Sequence, residues 1–137
     1  LLETHSSTHG RVSVIETENH RFLLLDHAII GGEYSDPLVR DQAVFSGMAL
    51  MQAVAFVRPE PLRVLCLGLG SGTVPEFLRG RGIWTDVVEH NPVVISLAHR
   101  FFSIGQRTTP GISLRADAIS LVSNQSYRPS EPYDLIL

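Results

Sequence analysis

The chain has 137 residues, 44% of them apolar and 18% charged, which suits one globular domain with a core and no disordered tail. Eleven Lys plus Arg against fourteen Asp plus Glu give a formal charge of −3. There is no basic stripe of the kind that tracks phosphates, so nucleic acid is not an expected partner. One cysteine, Cys66, rules out an intrachain disulfide and sits in an apolar run that reads as a buried structural thiol. No window approaches the roughly 20 apolar residues of a membrane span and no targeting segment is read, so the default expectation is a cytoplasmic protein with no membrane element in this chain.

In chain order, Arg11 to Glu16 alternates with β-branched residues, and a second apolar run from Phe22 to Leu25 follows the turn residues Thr17 to His20; this predicts a β-hairpin. Asp26-His27 makes a turn before Ala28-Ile29-Ile30, and Gly31-Gly32 with Ser35-Asp36-Pro37 ends the strand-forming region. The expected result is a small antiparallel sheet of three strands within residues 1–36, with the polar end before residue 11 frayed. From Val39 to Val57, Val44, Met48, Met51 and Ala55 recur at helical spacing, predicting a long, largely buried helix whose methionines pack the core. Pro59 and Pro61 stop it.

Strand and helix then alternate: Val64 to Leu67, Val74 to Arg79, Thr85 to Glu89, Val93 to Phe102, Ile112 to Arg115, a short helix, and Tyr133 to Leu137. Such alternation predicts an α/β fold, a Rossmann-like parallel sheet with flanking helices over residues 37–137, truncated after its fourth strand. The chain begins without methionine at Leu1 and stops at Leu137 inside a strand pattern, so a longer parent is expected, with a C-terminal part missing here. Ser123 to Pro132 reads as a surface loop.

The chemistry concentrates where the strand Val64-Leu65-Cys66-Leu67 runs into Gly68-Leu69-Gly70-Ser71-Gly72-Thr73-Val74-Pro75. Glycines at 68, 70 and 72 let the backbone turn sharply and approach a ligand, with N–H groups pointing at it. Glu89 stands 21 residues after Gly68 at the end of the second strand, the position from which a carboxylate accepts from ribose hydroxyls. His90 adjoins it, and Asn91 caps the next helix, with Pro92 in its first turn. Asp117, followed by Ala118, ends the third strand; it reads equally as an acceptor for an adenine amino group or as a helix N-cap. The glycine spacing is too short for a P-loop, and Thr73 stands where the dinucleotide pattern wants its third glycine. A ligand without pyrophosphate, an adenosyl sulfonium, therefore fits better than NAD. No metal site is expected: His5 and His9 have no third partner, and His20, His27, His90 and His99 are scattered.

These motifs, in this order, resemble the spermidine synthase-like branch of class I S-adenosylmethionine-dependent transferases. The resemblance is carried by Arg21 to Asp26, Val64 to Pro75, Val87-Val88-Glu89 with Asn91-Pro92, Asp117-Ala118 and Tyr133 to Ile136, nearly the whole chain. It implies a Rossmann-like fold behind a small β-sheet, a cofactor held by Gly68, Leu69, Gly70, Ser71 and Gly72, ribose at Glu89 with His90 beside it, and adenine at Asp117 and Ala118. It also implies a catalytic acidic residue beyond Leu137, without which this stretch alone is not expected to turn over; Asp134 at a strand start reads as structural. Ser71 stands where aminopropyltransferases of polyamine biosynthesis carry aspartate. Ile30 stands in place of their glutamine, and their Tyr-His-Glu run falls near Val39-Arg40-Asp41. The loop is closer to methyltransferase-like members that methylate lysines and N-termini of elongation factors. The leading expectation is thus S-adenosylmethionine-dependent methylation of an amine, on a small molecule or a protein. Aminopropyl transfer from decarboxylated S-adenosylmethionine is the alternative, with acidic Glu33, Asp36 and Asp41 near the mouth and Asp36 and Asp41 as substrate residues, and a non-catalytic nucleoside-binding scaffold is the third. A homodimer is within expectation.

Overall fold

The structure is a computed structural model that describes residues 1–57, 62–105, 114–115 (backbone only) and 131–137. Alternating burial builds the front layer, a four-stranded antiparallel sheet of β1 (Glu3–Ser7), β2 (Gly10–Glu16), β3 (His20–Leu25) and β4 (Ala28–Tyr34), paired in that order. Val12, Val14 and Leu23 are fully buried on its inner face, and Val14 sits opposite Leu23 across the β2–β3 ladder. Asp26 takes the left-handed turn position at φ 54° and its carboxylate accepts from the Arg11 N–H at 2.8 Å, which closes the β2–β3–β4 corner.

Two expectations for this sheet are corrected. The polar end is not frayed: Glu3 to Ser7 forms the edge strand β1, registered on β2 from Glu3↔Val14 to Ser7↔Gly10. An edge strand held by its ladder, by Thr4 Oγ1 on Ser13 Oγ at 3.0 Å and by Arg100 on Glu3 at 2.8 Å needs no apolar alternation. Nor do Gly31 and Gly32 end the strand region; both lie inside β4, which runs on to Tyr34.

The long helix predicted over Val39 to Val57 is also corrected. Residues 36–42 turn instead, with Val39 N–H on the Asp36 carbonyl and Gln42 N–H on the Val39 carbonyl. Helix α1 spans only Ser46–Gln52, followed by one 3₁₀ turn, Ala53–Phe56. Of the predicted apolar stripe only Met48 is buried, while Met51 is 42% exposed. Periodicity drives a helix only when a surface receives its apolar face, and Gly47 in the first turn weakens the helix further.

Behind lies a parallel sheet of β5 (Arg63–Leu67), β6 (Trp84–Val88), β7 (Leu114–Arg115) and β8 (Leu135–Ile136), in the order β7-β6-β5-β8. Helix α2 (Thr73–Arg79) joins β5 to β6, and α3 (Pro92–Phe101) follows β6. The α/β, Rossmann-like architecture preceded by an antiparallel sheet is therefore as the sequence predicts. Asn91 caps α3 through Val93 N–H at 3.0 Å with Pro92 in the first turn. Asp134 pins β8 to β5, accepting from Arg63 N–H at 2.8 Å, a structural role as its place at a strand start predicts. One hydrophobic cluster runs from Val12, Val14 and Leu23 of the front sheet through Val64, Cys66 and Val87 to Val94 and Leu97 of α3. The short helix expected after β7 and the loop at 123–130 lie outside the described residues.

Candidate functional site

Strand order reverses between β5 and β8, and in such sheets ligands bind outside the carboxyl ends of the strands at that reversal. A cavity of about 400 Å³ opens there, between the front sheet, α1, the glycine turn and the end of β6. That volume falls in the range of small-molecule sites.

The glycine turn forms its floor. Gly68, Gly70 and Gly72 have φ of 107°, 54° and 81°, which L side chains rarely adopt. A Cβ at Gly68 would meet no atom within 4 Å, so the turn leaves a cradle open on the cavity side. The turn closes on itself through Gly72 N–H to the Leu69 carbonyl at 2.9 Å and is tied to β6 through Gly68 N–H to the Val88 carbonyl at 2.8 Å.

Glu89 is 6% exposed, lines the cavity and holds the turn by its carboxylate. Oε2 accepts from Leu69 N–H at 3.0 Å and Oε1 from Asn91 N–H at 2.8 Å. A carboxylate offers about four lone-pair sites, so two backbone bonds leave capacity for a ligand's hydroxyls. His90 lies 3.4 Å from Glu89 Oε1, and its ring meets His9 edge-on at 4.3 Å between centroids. The structure thus brings together Gly68, Leu69, Gly70, Ser71, Glu89 and His90 around one cavity.

Gly72 lines the neighbouring smaller cavity, and a Cβ there would strike Ile104 at 2.3 Å. Ser71 lines both cavities, yet its hydroxyl is turned toward the front sheet: Oγ lies 3.2 Å from the Gly32 carbonyl and 3.0 Å from Thr73 Oγ1, which itself donates to that carbonyl at 2.7 Å. Asp36 is exposed and accepts from Leu38 N–H at 2.9 Å; Asp41 borders the smaller cavity, 3.9 Å from Arg81. Neither lines the larger one. Asp117 and Ala118 lie outside the described residues.

Sequence reasoning missed Gly31 and His9 as part of this site. A Cβ on Gly31 would fall 2.2 Å from Ser71 N, and one on Gly70 would fall 2.5 Å from the Ile30 carbonyl oxygen. β4 therefore presses directly on the glycine turn, and the adjacent pair Gly31-Gly32 in a strand was the available signal of close backbone approach. His9 gave no signal, because its partner is 81 positions away in the chain. Burial pushes the Cys66 thiol up to about 12, so this cavity-lining cysteine stays protonated and unreactive.

The sheet order, the reversal and the glycine turn define a Rossmann-like fold. No family model matches the chain. An N-terminal histidine N-methyltransferase of Emericella nidulans is 31% identical over an alignment spanning all of this chain and 27% of that protein's length. A probable spermidine synthase from Corynebacterium glutamicum superimposes with a TM-score of 0.74 at 20% identity, over 99% of this chain and 50% of that one; the likeness is one of fold. Human methyltransferase-like protein 13, solved in complex with SAH, gives a TM-score of 0.51 at 25% identity over 67% of this chain and 46% of that one. Relatives and structural neighbours are thus methyltransferases and spermidine synthases, the branch that the motifs resemble. No described helix is long and apolar enough to cross a membrane, and no metal-holding cluster occurs among the described residues.

Proposed function

We propose that this chain is the cofactor-binding part of an S-adenosylmethionine-dependent methyltransferase whose acceptor is an amine, carried on a protein. The observation that carries the reading is the buried Glu89 carboxylate, bonded to the glycine turn and facing a cavity at the sheet's reversal point. The open cradle at Gly68 and the spare acceptor capacity of Glu89 fit a nucleoside with an attached chain. In this reading Gly68, Leu69 and Gly70 hold the cofactor's chain, Glu89 its ribose with His90 alongside, and Asp117 with Ala118 the adenine. Residues 1–36 form the covering sheet and residues 37–137 the binding domain. A cytoplasmic setting and a homodimer belong to the same proposal.

When bound, S-adenosylmethionine supplies a methyl group on a sulfonium: the amine lone pair forms the N–C bond, the C–S pair goes to sulfur, and the amine proton leaves to a base or solvent. The chain's own contribution is positioning. Holding the reactants in line is worth about 7 to 11 kcal/mol of barrier, and a rigid turn braced by β4 and Glu89 suits that task. Transfer of an aminopropyl group is the second reading, favoured by the spermidine synthase fold that covers 99% of the chain; Ser71 in the glycine turn counts against it.

The test is calorimetric titration of the full-length protein with S-adenosylmethionine and with its decarboxylated form. S-Adenosylmethionine is expected to bind more tightly, and Glu89→Gln to weaken it by about tenfold or more, the effect of losing one charge-assisted bond. Preference for the decarboxylated form would install the second reading; failure of both to bind would overturn the nucleoside reading itself.

A further inference from the structure

The rim of the cavity beside Glu89 is built by two segments far apart in the chain, the turn between β1 and β2 and the turn between β6 and α3. One buried side chain ties them. Asn91 is 2% exposed; its Oδ1 accepts from Val93 N–H, its own N–H donates to Glu89 Oε1, and its Nδ2 donates to Ser7 Oγ at 3.1 Å, at the end of β1. Ser7 Oγ in turn accepts from His9 N–H at 3.2 Å and donates to the Gly10 carbonyl at 2.7 Å. A hydroxyl has one proton and two lone pairs, so these three bonds use everything Ser7 offers and fix the turn that carries His9. The His9 ring then stands edge-on to His90, and both line the cavity beside Glu89. Thr8 Oγ1 lies 3.0 Å from His9 Nδ1, which leaves Nε2 and the ring to a ligand. The fold does not ask for a ring there: His9 is exposed and takes no part in the hydrophobic core.

Resting on the cofactor reading above, we propose that His9 is a nucleoside-binding residue: with His90 it forms an imidazole wall over the ribose and adenine end of the cofactor, while the glycine turn holds the amino-acid end. Imidazole suits this place because its flat face stacks on a base and its edge carries a polar atom for a hydroxyl. The front sheet is then part of the binding site and not only its cover. A ligand at this wall joins the β1–β2 turn to the start of α3, along the path that Ser7 and Asn91 already make.

The test titrates the full-length protein by calorimetry with S-adenosylmethionine and with methylthioadenosine, which keeps the nucleoside and lacks the amino-acid chain. His9→Ala is expected to weaken both by the same factor, about tenfold, the size of one lost stacking contact. The melting temperature of the free protein should not move, because His9 is exposed. His9→Phe keeps a flat ring and is expected to bind both ligands within about threefold of the wild type. In a His90→Ala background the further loss from His9→Ala is expected to shrink, as it does for two residues that act on one group. Unchanged binding in His9→Ala, a loss for S-adenosylmethionine without one for methylthioadenosine, a His9→Phe variant as weak as His9→Ala, or fully additive losses in the double variant overturns the inference and leaves the cofactor reading standing. A wild-type protein that binds neither ligand overturns both.

Discussion

Ser71 shows how a single side chain decides between readings. Its hydroxyl lies with Thr73 Oγ1 on the Gly32 carbonyl, and the residue is 3% exposed. A carboxylate there would face that carbonyl oxygen, acceptor against acceptor. Ser71→Asp is therefore expected to destabilise the protein by roughly 2 kcal/mol or more, the cost of an unpaired buried polar group. It is not expected to improve binding of decarboxylated S-adenosylmethionine; denaturant unfolding and calorimetry check the two halves. Residue identity gave part of this in advance: that serine replaces an acid was legible, but the direction of its hydroxyl depends on β4, 39 positions earlier. Glu89 is the converse case. Its spacing from Gly68 marked it, whereas its two backbone bonds depend on the loop geometry and were not legible.

At the scale of elements, β5, α2, β6, α3 and β8 were readable because each is written in local terms: apolar runs, a glycine turn, an Asn-Pro cap. β1 and α1 were not. β1 is polar and exists because β2 offers it a ladder, while α1 is short because residues 36–42 turn before it and Ala53–Phe56 tightens to a 3₁₀ turn after it. The contact of β4 with the glycine turn belongs to the same class, a packing of two backbones that only a missing side chain betrays. Gly31→Ala places a methyl 2.2 Å from Ser71 N, a backbone atom that cannot swing aside. The expected result is a loss of about 1 to 3 kcal/mol of stability, as for other overpacked sites. Cofactor affinity should fall more steeply than it does for an alanine at Gly47, which lines the same cavity but where a Cβ meets nothing within 4 Å. Loss at both positions alike would mean that the turn is not braced by β4.

At the scale of the molecule, the two sheets are joined not only by the shared hydrophobic cluster but by a charged latch around Glu33 of β4. Glu33 is 3% exposed; its Oε2 accepts from Ser103 N–H at 3.2 Å, just after α3, and Oε1 lies 3.6 Å from Arg21 Nη1. Arg21 also donates to the Phe101 carbonyl, so β3, β4 and the end of α3 meet at one point. Arg40, Asp41 and Glu76 line the small cavity of about 120 Å³ beside it. Burial raises the Glu33 carboxyl above its ordinary 4.5, and the Ser103 bonds, Arg40 and Arg21 only partly offset this. Because the folded state then holds a proton that the unfolded state has released, this group's contribution to stability is greatest below pH 4.5 and is lost as pH rises toward the folded value. Glu33→Gln keeps an acceptor for Ser103 but cannot ionise. The melting temperature of the wild type relative to this variant should therefore fall as pH climbs from about 4 through the carboxylate range and level off above it. A difference that rises with pH instead would mean that Arg21 and Arg40 outweigh desolvation, and that the latch works as an ion pair rather than as a buried acid.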